Sequence, residues 1–443
     1  MSIAASALVS TQNAVSDVKR PCANFAPSIW GNTFLQYASE SMCCTSLLTN
    51  ITESAMNLVQ DVFNKFKNEQ GNFNETLAND IQGLCSLYEA THLRQPLNKS
   101  VLRFEARYHM TVYEQDSSHN EILLTFTKVD FNILQKMHQK ESGIITKWWK
   151  QSNVMKKVPH ARDRLVECYL WILAMSYKPE DSNGRMFAGK LSTVITLLDD
   201  AYDAYGTVEE LELLTEAFKR WDISLIGSLP VSMKVIFDTI VELSKEMELL
   251  TAHTGKSSLA ICNLAKAYMV EAKWCHKGYI PTYDEYKANG ILTSCCPLLF
   301  TSMICLGEFA TEDVLDWIFS DPKILQASSI IGRVMDDMAS HKFEQQRVHV
   351  ASSVECCMNQ YGISEIEAYK LIRKDIEDYW KVINEEYFNS YNIPKSVLDC
   401  VANFARMSEF SYENRQDKFT NGELLKDDVS SLLLNPICLE ECK

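Results

Sequence analysis

The sequence predicts an all-α protein, and three observations carry that prediction. Apolar residues recur at spacings of three and four through nearly the whole chain, the period of one helix face. No segment sustains the apolar–polar alternation of a half-buried strand. Glycine and proline are scarce, 15 and 11 among 443 residues, and mostly fall between the periodic segments, where they separate helices rather than interrupt them. A hydrophobic content of 46% supports a large globular core.

The elements follow in chain order. Residues 1–19 are rich in Ala and Ser but contain no arginine and no apolar run long enough for secretion, so the expected location is the cytosol. The polar run Tyr113-Glu114-Gln115-Asp116-Ser117-Ser118-His119 reads as a turn. It sets the expected boundary between an N-terminal helical domain, residues 1–115, and a C-terminal helical bundle, residues 116–443. Residues 121–135, 208–223, 231–251 and 364–387 each carry a helical apolar stripe. Residues 192–198 form an apolar helix that runs into an acidic end, with Gly206 as its C-cap. The longest uncharged run, residues 288–307, contains Asn289, Thr293, Ser294, Pro297, Thr301 and Ser302. It is too polar and broken for a membrane span and predicts a buried helix.

A formal charge of −15 argues against nucleic acid or an anionic membrane as a main partner. It also means that an anionic ligand needs cations to invert the local field. The fifteen cysteines include three adjacent pairs and no Cys-x-x-Cys spacing, which reads as reduced, mostly buried thiols. The nine histidines show no metal-ligand spacing, and neither a phosphate-cradling glycine loop nor a nucleophile elbow occurs.

Two acidic motifs carry the chemistry. In Asp199-Asp200-Ala201-Tyr202-Asp203, helical spacing stacks Asp199 over Asp203. In residues 336–344 it stacks Asp336, Ser340 and Glu344 along one stripe. Two facing stripes of hard oxygen ligands suit Mg²⁺, which shares its coordination with water and substrate phosphates, so the pattern implies an enzyme acting on a diphosphate. Carboxylates at the end of the first helix oppose its macrodipole and repel each other, each by about 0.3–1 kcal/mol. A local rule broken twice at one place points to function. Arg333, three residues before Asp336, points to the same face, and a guanidinium bridges phosphate oxygens bidentately.

These residues resemble the class I terpene synthases of plants, whose DDxxD motif matches Asp199–Asp203 and whose (N/D)DxxSxxxE motif matches Asp336–Glu344. Residues 20–31, from Arg20-Pro21 to Trp30-Gly31, resemble the family's N-terminal signature, and residues 203–207 its usual continuation of DDxxD. Residues 162–171 resemble its RxR segment and residues 412–420 its capping loop. The resemblance covers residues 116–443 and parts of the first 115. Relative to the family pattern, sequence is missing between about Glu40 and Leu58 and directly after Arg94.

The resemblance implies a class I terpenoid synthase helical bundle preceded by a shortened N-terminal α-barrel domain. It implies three Mg²⁺ ions, with Mn²⁺ as a substitute: Asp199 and Asp203 hold two, and Asp336, Ser340 and Glu344 the third. Arg162, Arg164 and Arg333 clamp the diphosphate, with Lys418 adding to them, while Asp200 and Asp337 support the ligands or pair with basic residues. Trp171 floors the carbocation pocket. Thr293, Ser294 and Cys295, beside Gly290, form a helix break that lines it, and Tyr412, Asp417 and Phe419 belong to the lid. The expected activity is that of a monomeric sesquiterpene synthase using farnesyl diphosphate. A monoterpene synthase using geranyl diphosphate and a catalytically silent shortened copy stay open as alternatives. A prenyltransferase would carry two DDxxD motifs, where this chain has the Ser/Glu form.

Overall fold

A computed structural model describes residues 23–39, 102–117, 119–250, 256–307, 309–390 and 392–439. Both places where family sequence is missing, and Arg20 to Cys22 of the N-terminal signature, lie outside the described residues. Among the described residues there are helices, turns and coil, and no strand.

The principal helices are α1 (Leu102–Gln115), α2 (Glu121–Ser152), α3 (Leu165–Met175), α4 (Ser182–Ala204), α5 (Val208–Arg220), α6 (Val231–Leu250) and α7 (Lys256–Lys277). They continue as α8 (Tyr283–Thr293), α9 (Cys296–Cys305), α10 (Glu312–Phe319), α11 (Lys323–Glu344), α12 (Ser353–Tyr361), α13 (Glu365–Asn389) and α14 (Lys395–Ser411). Local chemistry sets their ends. Asn120 caps α2 by accepting from the Leu123 N–H at 3.2 Å. Capping boxes open α5 (Thr207 with Glu210), α12 (Ser352 with Glu355) and α13 (Ser364 with Glu367), each satisfying two otherwise orphaned N–H groups.

Six helices close a ring in the order α3, α4, α7, α8, α11, α14 and back to α3, each packed on the next. Helix α9 packs on α4, α7, α8, α11 and α14 and so forms the floor. Helix α3 explains the depth of the core: all eleven of its residues are buried, which is why its sequence is apolar all round. Helices α11 and α14 approach closely because residue 332 is glycine. A Cβ there would lie 2.8 Å from the Phe404 ring.

Residues 288–307, which composition alone reads as one buried helix, form two, α8 and α9, broken at Ser294 and Cys295, where the resemblance implies a helix break. Cys295 takes a left-handed conformation (φ +61°). Pro297 lacks an N–H and fits only the first turn of a new helix. By length and composition, Tyr283–Cys305 is apolar enough to cross a membrane, but 61% of its most apolar window is buried inside the protein.

Helix α2 anchors both ends of the described chain. Residues 30–39 lie against it so closely that a Cβ on Gly143 would sit 2.5 Å from the Ala38 nitrogen. Gln135 and Gln139 donate to the carbonyls of Leu432 and Leu433 at 2.9 and 2.6 Å. A buried ion pair, Glu141 with Arg185 at 2.8 Å, ties α2 to α4 and is completed by the Tyr169 hydroxyl donating to Glu141 at 2.6 Å.

Candidate active site

The ring opens at one end into a cleft of about 490 Å³. The last turns of α4 bring Asp199 and Asp203 to one wall, and α11 brings Asp336, Ser340 and Glu344 to the other. Asp199 and Asp336 keep 32% and 29% of their side-chain surface accessible, which leaves room for a ligand. Asp200 and Asp337 are only 2% and 1% exposed and are taken up by protein partners. Asp200 accepts from the Arg162 N–H at 2.6 Å and pairs with its Nε at 2.9 Å. Asp337 accepts from the Tyr286 hydroxyl at 2.9 Å, the Arg333 Nε at 2.9 Å and the Ser353 N–H at 3.0 Å.

Guanidinium groups sit at the rim between the carboxylates. Arg162 reaches Asp199 at 2.6 Å and Thr420 Oγ1 at 3.3 Å, with Phe25 stacked over it at 4.9 Å. Arg333 reaches Asp336 at 2.5 Å. It lies so close to α8 that a Cβ on Gly290 would be 2.9 Å from its Cγ. Arg347 crosses the cleft to Asp203 at 2.7 Å. Arg164 is different. It is 1% exposed, does not line the cleft, and donates to the carbonyls of Ala26 (3.0 Å) and Thr420 (2.5 Å). It thereby joins the N-terminal segment to the loop after α14, beside the Trp30 indole that donates to Glu167 at 3.0 Å. Lys418 also turns away from the cleft, toward Glu413 (3.6 Å) and the Phe410 ring (4.2 Å).

The electrostatics require added positive charge. Eight carboxylates and three guanidinium groups line the cleft. Burial pushes Glu344 well above the usual carboxylate range, and Asp203, Asp337 and Asp336 push it further. The Ser340 Oγ is buried with no hydrogen-bond partner among the described residues, an expensive state for a hydroxyl unless a ligand completes it. Among the described residues no three carboxylate, imidazole or thiolate groups converge on one point, because arginines hold the carboxylates apart in pairs. Hard oxygens, an orphaned hydroxyl and excess negative charge fit divalent cations whose coordination substrate oxygens and water complete.

Burial raises Asp200, Glu271 and Asp336 to about 7, well above the ordinary carboxyl value of about 4. The folded state therefore holds these protons more tightly than the unfolded chain does. The resulting stabilisation is complete below about pH 4 and is lost as the pH rises through about 7. We expect the unfolding midpoint of chelator-treated protein to fall between about pH 4 and 7. Asp200→Asn should flatten part of that fall, and the increment from added divalent cation should grow over the same interval. Thermal scans across pH check this, and a flat profile would contradict it.

Beyond the charged rim the cleft continues into an apolar lobe of about 120 Å³. Trp171 stands at its centre, with Phe404, Tyr412 and Phe419 at 5.6, 5.8 and 5.9 Å between ring centroids. Thr293, Ser294 and Cys295 form the opposite wall, and their polar groups are engaged elsewhere. The Thr293 hydroxyl donates to Glu271 at 2.8 Å, the Ser294 hydroxyl to the Ile291 carbonyl at 2.8 Å, and the Cys295 Sγ lies 3.0 Å from the Tyr268 hydroxyl. Asp417 lines the outer cleft and accepts from the Thr420 N–H at 2.8 Å.

The structure thus gathers Asp199, Asp203, Asp336, Ser340, Glu344, Arg162, Arg333 and Asp417 at the cleft, and Trp171, Thr293, Ser294, Cys295, Tyr412 and Phe419 at the lobe. Arg164 is not among them. Sequence reasoning did not find Phe25, Tyr268, Glu271, Arg347 or Phe404, which also line these spaces. Arg347 alone carried a signal, three residues beyond Glu344.

Comparison with known proteins places this geometry. Residues 150–382 match the model of the terpene synthase family, metal binding domain, and residues 52–122 that of the terpene synthase, N-terminal domain. A (−)-germacrene D synthase of Vitis vinifera is 36% identical, covering 97% of this chain and 98% of the relative. That match runs over 547 aligned positions against 443 residues here, so the relative carries sequence with no counterpart in this chain. A probable sesquiterpene synthase of Santalum murrayanum is 40% identical over 85% of this chain and 75% of its own. Among solved structures, isoprene synthase from grey poplar leaves, in complex with three Mg²⁺ ions and dimethylallyl-S-thiolodiphosphate, superposes with a TM-score of 0.72 at 28% identity, covering 86% of this chain and 82% of that one.

Proposed function

The chain belongs to the terpene synthase family, and we propose that it is a sesquiterpene synthase that ionises farnesyl diphosphate and steers the carbocation to a C15 product. The observation that carries this reading is the arrangement of the cleft. Two facing acidic stripes and three guanidinium groups stand at the mouth of an aromatic lobe.

Metal dependence follows from the family's metal binding domain. The ions proposed here are three Mg²⁺, replaceable by Mn²⁺, held by Asp199 and Asp203 on one side and by Asp336, Ser340 and Glu344 on the other. When bound, they supply Lewis-acid stabilisation of charge on the departing diphosphate. The protein's own residues do the rest. Arg162 and Arg333, paired with carboxylates here, turn their charge toward the diphosphate oxygens. The C–O bond breaks with its electron pair leaving on the diphosphate, and an allylic cation remains. The faces of Trp171, Phe404, Tyr412 and Phe419 attract that cation, by roughly 2 kcal/mol or more when desolvated. The hydroxyls of Thr293 and Ser294 are fixed in place by hydrogen bonds to Glu271 and the Ile291 carbonyl, and proton loss or admitted water ends the reaction.

One observation favours a second reading. The lobe, at about 120 Å³, is small beside the roughly 300–1,000 Å³ of typical ligand pockets, which suits the shorter geranyl chain. Residues 1–115 are proposed as a shortened N-terminal domain and residues 116–443 as the catalytic one, acting as a monomer in the cytosol.

The test is to incubate purified protein and Mg²⁺ with farnesyl and, separately, geranyl diphosphate, and to identify volatiles by mass spectrometry beside a chelator control. Sesquiterpenes that require metal are the expected outcome. Monoterpenes from the geranyl substrate alone would transfer the chain to the second reading. A cooperatively folded protein giving neither would overturn both.

A further inference from the structure

We propose that Arg347 is a diphosphate-binding residue that reaches the substrate from the turn after α11 while tethering Asp203 across the cleft. This rests on the reading of the cleft as a prenyl diphosphate site. Arg347 lies just beyond the acidic stripe, and its N–H donates to the Glu344 carbonyl at 3.0 Å, which fixes the turn. Its Nη2 donates to Asp203 at 2.7 Å, so one side chain links the second motif to the last carboxylate of the first. Its side chain is only 18% exposed and lines the cleft.

The decisive feature is its unused donors. Nε and Nη1 are buried and have no acceptor among the described residues. Arg162, by contrast, donates from both terminal nitrogens, to Asp199 and to Thr420, and its Nε lies 2.9 Å from Asp200. Arg333 engages two of its nitrogens with Asp336 and Asp337. A buried guanidinium N–H without an acceptor is costly, and the cost is removed when an anion arrives. Nε and Nη1 point their hydrogens to different sides of the guanidinium, so each offers a separate donor to an anion oxygen. Arg347 can therefore bind the anion without releasing Asp203, because the two partners use different nitrogens.

Calorimetric titration of the Mg²⁺-loaded protein with inorganic diphosphate tests this. Arg347→Gln should weaken binding by about ten- to a hundredfold, as for a lost hydrogen bond to a charged group. Arg347→Lys, which keeps the charge but replaces the planar set of donors by an ammonium, should fall between. Arg373→Gln, which removes an exposed cation of α13 outside the cleft, should bind as wild type and so controls for net charge. A purely structural Arg347 would lower the unfolding midpoint and leave affinity alone. Wild-type affinity in Arg347→Gln, or in Arg347→Lys where the glutamine variant does not fold, would overturn the proposal. Failure of the wild type itself to bind diphosphate with Mg²⁺ would instead overturn the reading of the cleft.

Discussion

Asp199→Asn is expected to lower kcat with the proposed farnesyl diphosphate substrate by roughly a thousandfold while leaving the metal-free protein at least as stable as wild type. The loss follows from removing one of the proposed carboxylate ligands, since metal stabilisation of transition-state charge is worth several kcal/mol and each 1.36 kcal/mol is tenfold in rate. The stability follows from the neighbours. Burial raises Asp199 from its ordinary value, Arg162 opposes this, and Asp203 adds to it. The charged form is therefore disfavoured in the folded state, and a neutral amide of the same shape removes that cost. Arg162 is not orphaned by the change, because Asp200 still pairs with its Nε at 2.9 Å. Steady-state kinetics and a thermal scan on the same preparation check both halves. Activity within tenfold of wild type would remove Asp199 from the ligand set, and a large drop in the unfolding midpoint would make its role structural.

The two acidic motifs were legible in the sequence while other parts of the site were not. Asp336, Ser340 and Glu344 stand on one helix, so their common face follows from a spacing of four. Arg162 and Arg164 lack that regularity. They flank the start of α3, with Arg164 at its N-cap, and a spacing of two there sends their side chains to different partners. One meets the acidic cluster and the other meets the backbone of residues 26 and 420. Phe404 and Glu271 sit on α14 and α7, where an apolar stripe or a single acid means core or surface until tertiary packing turns that face toward the cleft. The ring of helices depends on which faces meet, and helical periodicity does not encode that. The break between α8 and α9 was visible through the resemblance and not through local propensity, since the left-handed turn at Cys295 is made by a residue with no intrinsic preference for it.

Arg162→Ala should produce the opposite pattern, losing activity and stability together, and the stability loss should depend on pH. Arg162 is the counter-charge of Asp200, a carboxylate only 2% exposed. Removing one partner of a buried pair leaves an uncompensated charge, at a cost of about 3–5 kcal/mol. Asp200 already titrates near 7 with the guanidinium in place, and without it the carboxyl is raised further. Below about pH 7 it can escape the cost by holding its proton, so the destabilisation should be smaller at about pH 6 than at about pH 8. The catalytic loss, for one preorganised donor to a developing anion, should be on the order of a hundred- to a thousandfold and persist at both pH values. The double variant Arg162→Ala/Asp200→Asn distinguishes the two roles. It removes the stranded carboxylate and should recover most of the stability and none of the activity. Recovery of both would mean that Arg162 acts only through Asp200. Recovery of neither would mean that its contacts to Asp199, Thr420 and the Phe25 ring hold the mouth of the site together.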